Sequence, residues 1–508
     1  MEYTLFDGES LTIDSLFQIV ANRLPINLSE SAIIKIQQSR TVVENIIQEK
    51  KTIYGVNTGF GKFSDITIAE DKIDELQRNL AMSHATGVGN PLPGDIVQTI
   101  ILLKINSLAK GFSGVRLEVV DRLIDMYHAG IIPTIPAKGS VGASGDLAPL
   151  AHLTLVLIGM GEANYLGEKM SGVEAMAKAG IPVLTLKAKE GLALLNGLQV
   201  STAIACHVLK KLETLALAAD IIGALTLEGL KGSKKAFDER IQKARGIPGQ
   251  IEVGKLVSSL LKDSEILDSH RDCKKVQDAY SLRCIPQVHG TVREAIRFAR
   301  SILEIEMNSC TDNPLIFVED EEILSGGNFH GQSISMVSDI LGIASTYLAN
   351  ISERRIEYML DPNTSDMAGF LTEEGGLNSG FMIAQVTAAS LASSNKVLAH
   401  PASVDSIPTS ANKEDLVSMS CYAAQKALEI IENTGYILAI ELLCACQAID
   451  LKRPLKTSTP LEKVHEFVRQ QIPRLKNDRI MYPDIEAVYQ MVIQGGINNI
   501  VQPYFDSK

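Results

Sequence analysis

A run of compact residues, Lys138-Gly-Ser-Val-Gly-Ala-Ser-Gly-Asp-Leu-Ala-Pro-Leu150, sets the tightest limits on how this chain can fold. Three Gly, two Ser and one Ala take six of the seven positions from Gly139 to Gly145, so backbone atoms can approach one another closely here. Gly also reaches φ/ψ values closed to other residues. The chain then turns apolar at Leu147, Ala148, Leu150, Ala151, Leu153 and Leu155. A Gly/Ser loop entering such a segment predicts a helix start, with Asp146 placed to favour its positive N-terminal end. Familiar loop chemistries do not fit. A nucleophile elbow, G-x-S-x-G, would need Gly where Asp146 stands. A phosphate loop would need G-K-[ST], whereas Gly145 is followed by Asp146 and Leu147, and an acid is the wrong charge for a phosphate cradle. Taken alone, the stretch also reads as a tight turn before a buried helix.

Composition removes several classes of function. A net charge of −12 argues against non-specific nucleic-acid or membrane-surface binding, which wants a basic face. The apolar run from Leu147 to Gly161 holds Pro149 and His152 and falls short of the roughly 20 residues that span a bilayer. Met1-Glu-Tyr-Thr-Leu5 carries an acid and no basic stretch, so no signal peptide is expected. Seven scattered cysteines (206, 273, 284, 310, 421, 444 and 446) read as reduced thiols in a cytoplasm. Cys444 and Cys446 sit in an apolar helical pattern without a partner pair at ligand spacing, so no metal site is expected.

Before residue 200 the chain mixes short elements with loops. Tyr3–Phe6 reads as a strand, and Asn27–Ala32 as a helix start with Ser29 or Asn27 as N-cap. Ile53-Tyr54-Gly-Val-Asn-Thr-Gly-Phe-Gly61 predicts a loop, because its three glycines disfavour a regular helix. It is not a dinucleotide fingerprint, since the third Gly of that pattern falls on Ser64. It is either a plain surface loop or a mount for the polar ring of Tyr54. His84, in Asn79–Gly87, is by itself more often a packing residue than a functional one. From Pro93 onward Ile96, Ile100, Ile101, Leu103, Ile105 and Leu108 nearly cover a helix, which predicts burial all round. Gly191–Gly197 is an apolar run closing at Asn196-Gly197, as helices commonly do.

After residue 200, long helical patterns dominate: 201–230, 292–307, 332–360, 381–400 and 416–451. Patterns of that length without sustained heptads predict a multi-helix bundle. The chain therefore divides into a mixed N-terminal domain, 1–199, and a helical region, 200–508. Three polar or Gly-rich stretches interrupt the helices. They are Gln277–Gln287 with Tyr280 and Arg283, Gly326–Gly331 with Phe329, and Asn412–Asp415 with Glu414. Each also reads as an ordinary surface loop, turn or charged helix start.

Gly142–Leu150 resembles the signature of the aromatic amino acid ammonia-lyases, the histidine, phenylalanine and tyrosine lyases. In that family the Ala-Ser-Gly tripeptide closes on itself, loses two waters and becomes 4-methylideneimidazol-5-one (MIO), a backbone electrophile. The residue types suit the task. Gly145 offers an unhindered nitrogen, Ala143 a carbonyl with little bulk, and Ser144 the hydroxyl that leaves. The Tyr54 loop, Ser83-His84, Asn196-Gly197 and the three interrupting stretches resemble the family in the same order, making seven segments in all.

The resemblance implies a mainly α fold of fumarase/aspartase-like architecture, a mixed N-terminal part carrying the MIO loop, and a homotetramer whose active sites are built from several subunits. It implies Tyr54 as catalytic base, Ala143, Ser144 and Gly145 as source of MIO, and Tyr280 as a further catalytic residue. His84 and Glu414 would orient the substrate ring, Arg283 would hold its carboxylate, and Asn196, Gln277 and Phe329 would complete the pocket. A base working near neutral pH needs a lowered pKa, so positive or hydrogen-bonding groups are expected beside Tyr54. Glu at 414 belongs to the histidine branch of the family, while Lys413 and Leu416 stand where that branch carries Gln and His. The implied activity is elimination of ammonia from L-histidine to give trans-urocanate, the first step of histidine degradation. The alternative is a tyrosine or phenylalanine ammonia-lyase or aminomutase using the same group. No external cofactor, metal, nucleic acid or membrane partner is implied.

Overall fold

A computed structural model describes residues 3–49, 51–59, 61–271 and 276–504. Phe60 of the Tyr54 loop and Cys273 lie outside the described residues, as do Met1 and Glu2. The chain forms two compact units, each assembled from three segments. The first comprises Met1–His207, Arg300–Asp339 and Pro401–Gln425; the second comprises Val208–Ala299, Ile340–His400 and Lys426–Lys508.

Helices carry both units, and the strands among the described residues are two to four residues long. In the first unit Thr4–Phe6 pairs in parallel with Ile26–Leu28. Val88–Pro91 lies antiparallel to Pro136–Lys138. Ile132–Pro133, Glu162–Tyr165 and Glu168–Ser171 form a three-stranded sheet. Such short pieces cannot make a core, so the apolar faces of helices do. Ser29 caps the helix Glu30–Gln48 by accepting from the Ala32 amide. Gly94–Ala109 is buried at nearly every position, as its all-round apolar pattern predicts. Helix Ile73–His84 packs on Leu147–Leu157 and Glu190–Leu195, and Gln77 accepts the Gly191 amide at 2.9 Å. That packing sets His84, the last residue of its helix, near the compact loop.

The long helical patterns become Gln199–Gly229, Ile285–Met307, Gln332–Leu360, Met382–Leu398 and Ser420–Asp450. Each starts and stops within a few residues of its sequence pattern, except that Ile285–Met307 begins earlier because residues 285–291 join the helix. Gln332–Leu360 is long and apolar enough to cross a membrane by length and composition, yet 72% of its apolar window is buried inside the protein. In the second unit Gly229 permits close helix approach: a Cβ there would meet that of Ala448 at 2.8 Å. An ion pair without any exposure also sits in this core. The Arg355 guanidinium grips Glu441 with two nitrogens, one at 2.8 Å, while Ser352 and Thr226 hydroxyls donate to the same carboxylate at 2.6 and 2.7 Å.

A buried ion pair is costly to break from one side, because the remaining charge is stranded. Glu441→Ala is expected to lower the unfolding free energy by about 3–5 kcal/mol. The check is the urea midpoint of the variant against the parent, and Arg355→Met with Glu441→Leu together should recover much of the loss.

Candidate active site

The compact loop is fastened at both ends within the first unit. Ser140 spans the tripeptide: its hydroxyl accepts from the Gly142 amide at 3.1 Å and donates to the Gly145 carbonyl at 3.3 Å. On one side the Met419 amide donates to Val141 O at 2.9 Å and the Ser418 hydroxyl to Gly142 O at 3.1 Å. On the other, Gly145 and Gly197 form a parallel bridge, and the Asp146 amide donates to Gly197 O at 2.7 Å. Gly145 has φ +78°, and a Cβ there would lie 2.2 Å from Gly197 O. No side chain fits in that space, which is why glycine stands at 145.

Asp146 occupies the N-cap position of Leu147–Leu157 without capping it. Its carboxylate, fully buried, instead accepts from Ser201 N at 2.7 Å, Ser201 Oγ at 3.0 Å and Cys421 Sγ at 2.8 Å. The placement beside its own helix was legible in the sequence; the service to the first turn of Gln199–Gly229 was not.

A cleft of about 250 Å³ opens over this loop, lined by Ser83, His84, Ala143, Gly145, Thr409 and Glu414, among others. Glu414 accepts from Ser144 Oγ at 3.1 Å, Thr409 Oγ1 at 2.6 Å and Ser410 Oγ at 2.7 Å. His84 Nδ1 lies 2.9 Å from Leu80 O. A carbonyl only accepts, so Nδ1 carries the proton of the neutral ring and Nε2 keeps a lone pair. Burial pushes the His84 pKa down, with the Leu80 hydrogen bond and the Glu414 charge opposing, so the ring is neutral at pH 7. The segment after His84 is tied to the helix that follows the tripeptide, since the Gly87 amide donates to His152 Nε2 at 3.1 Å.

Tyr54 is half-buried on a turn anchored by Val56, which packs with Val43, Ile46 and Ile316. Asn57 closes the turn by accepting from Ile53 N at 2.9 Å and donating to Lys51 O at 2.8 Å. The expected lowering of the Tyr54 pKa is not found in the folded chain. Burial pushes the phenol above 10.0 and the Glu414 carboxylate adds to this, while a backbone hydrogen bond at Gly61 partly opposes them. The hydrogen-bonding half of the expectation holds, and the charge beside the phenol has the opposite sign.

Asn196 is buried at the C-cap of Glu190–Leu195. Its Nδ2 donates to Asn313 O at 2.8 Å and lies 3.4 Å from Asp312 Oδ1, while the other Asp312 oxygen pairs with Lys189 Nζ at 2.6 Å. Its Oδ1 is a buried acceptor with no hydrogen-bond partner. Lys104, from the apolar helix Gly94–Ala109, donates to Asn196 O at 2.6 Å and Ala193 O at 3.2 Å. Sequence reasoning passed over Lys104, although a lone Lys between Leu103 and Ile105 was the available signal.

The first unit thus brings His84, the tripeptide and Glu414 to one cleft, with Tyr54 within electrostatic reach of Glu414. Phe329 belongs to the same unit, half-buried on a turn. Gln277, Tyr280 and Arg283 belong to the second unit. Gln277 is exposed, Tyr280 is 72% exposed, and the Arg283 guanidinium stacks 4.6 Å from the Tyr280 ring centre. Tyr280 borders a different cavity of about 550 Å³ with Cys284, Val288, Tyr347 and Arg354. Among the described residues no cluster of His, Cys, Asp and Glu could hold a metal ion.

The family model for aromatic amino acid lyases matches residues 11–470, and the chain belongs to that family. It is 50% identical over 502 residues to histidine ammonia-lyase from Caldanaerobacter subterraneus subsp. tengcongensis, with 99% of each chain covered. Among solved structures, histidine ammonia-lyase from Trypanosoma cruzi aligns at TM-score 0.91 and 41% identity, over 99% of this chain and 96% of that one. Tyrosine aminomutase from Streptomyces globisporus aligns at TM-score 0.93 and 36% identity, over 99% of each.

Like charges raise the cost of ionising a phenol, so removing the Glu414 charge eases it. Glu414→Gln is expected to shift Tyr54 ionisation to lower pH. Alkaline ultraviolet difference titration, each protein read against its own Tyr54→Phe partner, checks this; an unchanged midpoint would show that the two groups are uncoupled.

Proposed function

We propose that the protein eliminates ammonia from L-histidine to give trans-urocanate, with an MIO group formed from Ala143, Ser144 and Gly145. The observation that carries the reading is a cleft that sets Glu414 and the neutral His84 beside this tripeptide. The full-length similarity to histidine ammonia-lyases supports it. So does the shape of the loop: a glycine with no room for a side chain, a hydroxyl staple across the tripeptide, and the unpartnered Asn196 Oδ1 suit a closed backbone ring.

An imidazolium presents two N–H donors. Glu414 offers a carboxylate and His84 Nε2 a lone pair, so the cleft supplies an acceptor for each. A phenol offers one donor and would leave one acceptor unpaired, which costs more than the missing bond itself. MIO would supply an electrophile that helps the amine depart. Tyr54 is the proposed base for the β-proton. It starts as a protonated phenol, held so chiefly by burial, and a cationic ring paired with Glu414 would cancel the smaller contribution of that charge. Loss of the β-proton and departure of ammonia leave the double bond of the product.

Arg283 is proposed to hold the substrate carboxylate, with Tyr280, Gln277, Asn196 and Phe329 completing the site in a homotetramer. The exposed apolar residues Tyr347, Ile383, Val386 and Val397 in the second unit support further assembly. The buried free cysteines 206, 421, 444 and 446 support a cytoplasmic setting.

Ammonia release from histidine, tyrosine and phenylalanine by the purified protein tests the activity. Histidine should dominate; a β-amino acid from tyrosine without ammonia would establish the aminomutase reading instead. Glu414→Ala should reduce kcat/KM for histidine by about a hundredfold or more, as loss of a charged hydrogen bond to substrate does. Ser144→Ala should lack both activity and the mass deficit of two waters.

A further inference from the structure

Lys104 carries an ammonium into a helix whose neighbouring positions are apolar, and it is 1% exposed. Burial pushes its pKa down to about 8, with Asp312 the largest opposing influence. A Met at this position would fill the same space without that cost. The ammonium does two things: it holds Asn196 O at 2.6 Å and Ala193 O at 3.2 Å. Both are carbonyls at the end of Glu190–Leu195 that lack helical partners. The peptide that Lys104 grips leads directly into Gly197, whose carbonyl stands 2.2 Å from where a Cβ of Gly145 would be. Gly197 is therefore the wall against which the tripeptide is pressed. The same segment is also fastened by the Thr311 hydroxyl, which accepts from Leu198 N at 3.2 Å, by Asn196 Nδ2, which donates to Asn313 O at 2.8 Å, and by Asp146 itself.

We propose that Lys104 is a positioning residue for backbone closure: it holds the Asn196–Gly197 peptide so that the tripeptide cannot relax away from the ring-forming geometry. The proposal rests on the reading that Ala143-Ser144-Gly145 cyclises. In that closure Gly145 N bonds to Ala143 C, and its proton passes to the carbonyl oxygen. That oxygen then departs as water with the Ser144 amide proton. The Ser144 hydroxyl departs with the Ser144 Cα proton as the second water, so no oxidant or co-reactant is needed. Removing the Lys104 grip leaves each of these steps chemically intact and takes away only the compression.

The test is a time course of intact mass on newly synthesised full-length protein, with far-UV circular dichroism and protease resistance read on the same samples. Parent protein should reach the two-water deficit and Ser144→Ala should never do so. Lys104→Met should fold and lose water about tenfold more slowly, the effect of removing hydrogen bonds from a charged donor. Lys104→Gln keeps a neutral donor and should fall between. A Lys104→Met rate within about twofold of the parent, beside a normal parent deficit, overturns the proposal alone. Failure of both variants to fold also overturns it, since Lys104 would then hold the fold and not the loop. A parent protein that never shows the deficit overturns the cyclisation reading and this proposal with it.

Discussion

A carboxylate removed from water must be answered by donors, and the surroundings of Asp146 are organised by that requirement. Two bonds from Ser201 and one from Cys421 converge on it, while its own amide reaches Gly197. Burial drives its pKa up, and the hydrogen bonds from Cys421 and Ser201 pull it back. One short side chain thereby fixes the exit of the compact loop, the first turn of Gln199–Gly229 and the first turn of Ser420–Asp450. An asparagine would copy the shape, but with its oxygen kept on Ser201 it would turn an amino group towards the Cys421 thiol, so the charge pattern as well as the size is specified.

With the loop fixed from below, the cleft above it depends on where Glu414 points. Three successive non-glycine residues before it, Ser410, Ala411 and Asn412, hold φ of 49°, 53° and 63°. Left-handed backbone costs an alanine about 1 kcal/mol or more. It persists here because Thr409 and Glu414 bond backbone to backbone in both directions and the Glu414 carboxylate gathers the Thr409 and Ser410 hydroxyls. The turn therefore spends conformational energy to aim one carboxylate at Ser144. Burial is the larger influence on both Tyr54 and His84; that same carboxylate adds to it at the phenol and partly offsets it at the ring, so one charge acts on both groups.

What was legible in the sequence follows from which physical signals are local. The 3.6-residue periodicity of the long helices is local, and apart from the start of Ile285–Met307 their limits are legible to within a few residues. So is the N-cap choice of Ser29, because a side-chain oxygen three residues before an amide needs no tertiary partner. The compact loop was legible as a tight turn, yet the wall that makes it tight comes from Gly197, 52 residues away in the chain by the difference 197 − 145. The place of Asp146 at the start of its own helix is local and legible, whereas the donors its carboxylate gathers lie 55 and 275 residues distant and are not. The upward direction at Tyr54 is tertiary too: its largest cause is burial of the phenol, and the Glu414 charge that adds to it comes from far away in sequence. The pairing of segments 300–339 and 401–425 with the N-terminal part is likewise a tertiary fact that no periodicity announces.

A helical scaffold common to a whole family cannot choose among substrate rings; that choice has to lie in the few side chains that line the cleft. A neutral His84 with its proton committed to Leu80 is an obligate acceptor at Nε2, and Glu414 is an acceptor by charge. If both face the substrate ring, as proposed, two acceptors favour a ring with two donors and penalise an apolar ring through the bonds left unmade. The tautomer is thus fixed by a backbone carbonyl one helical turn below the ring, and on the proposed reading the end of the helix Ile73–His84 would set the preference for a ring with two donors.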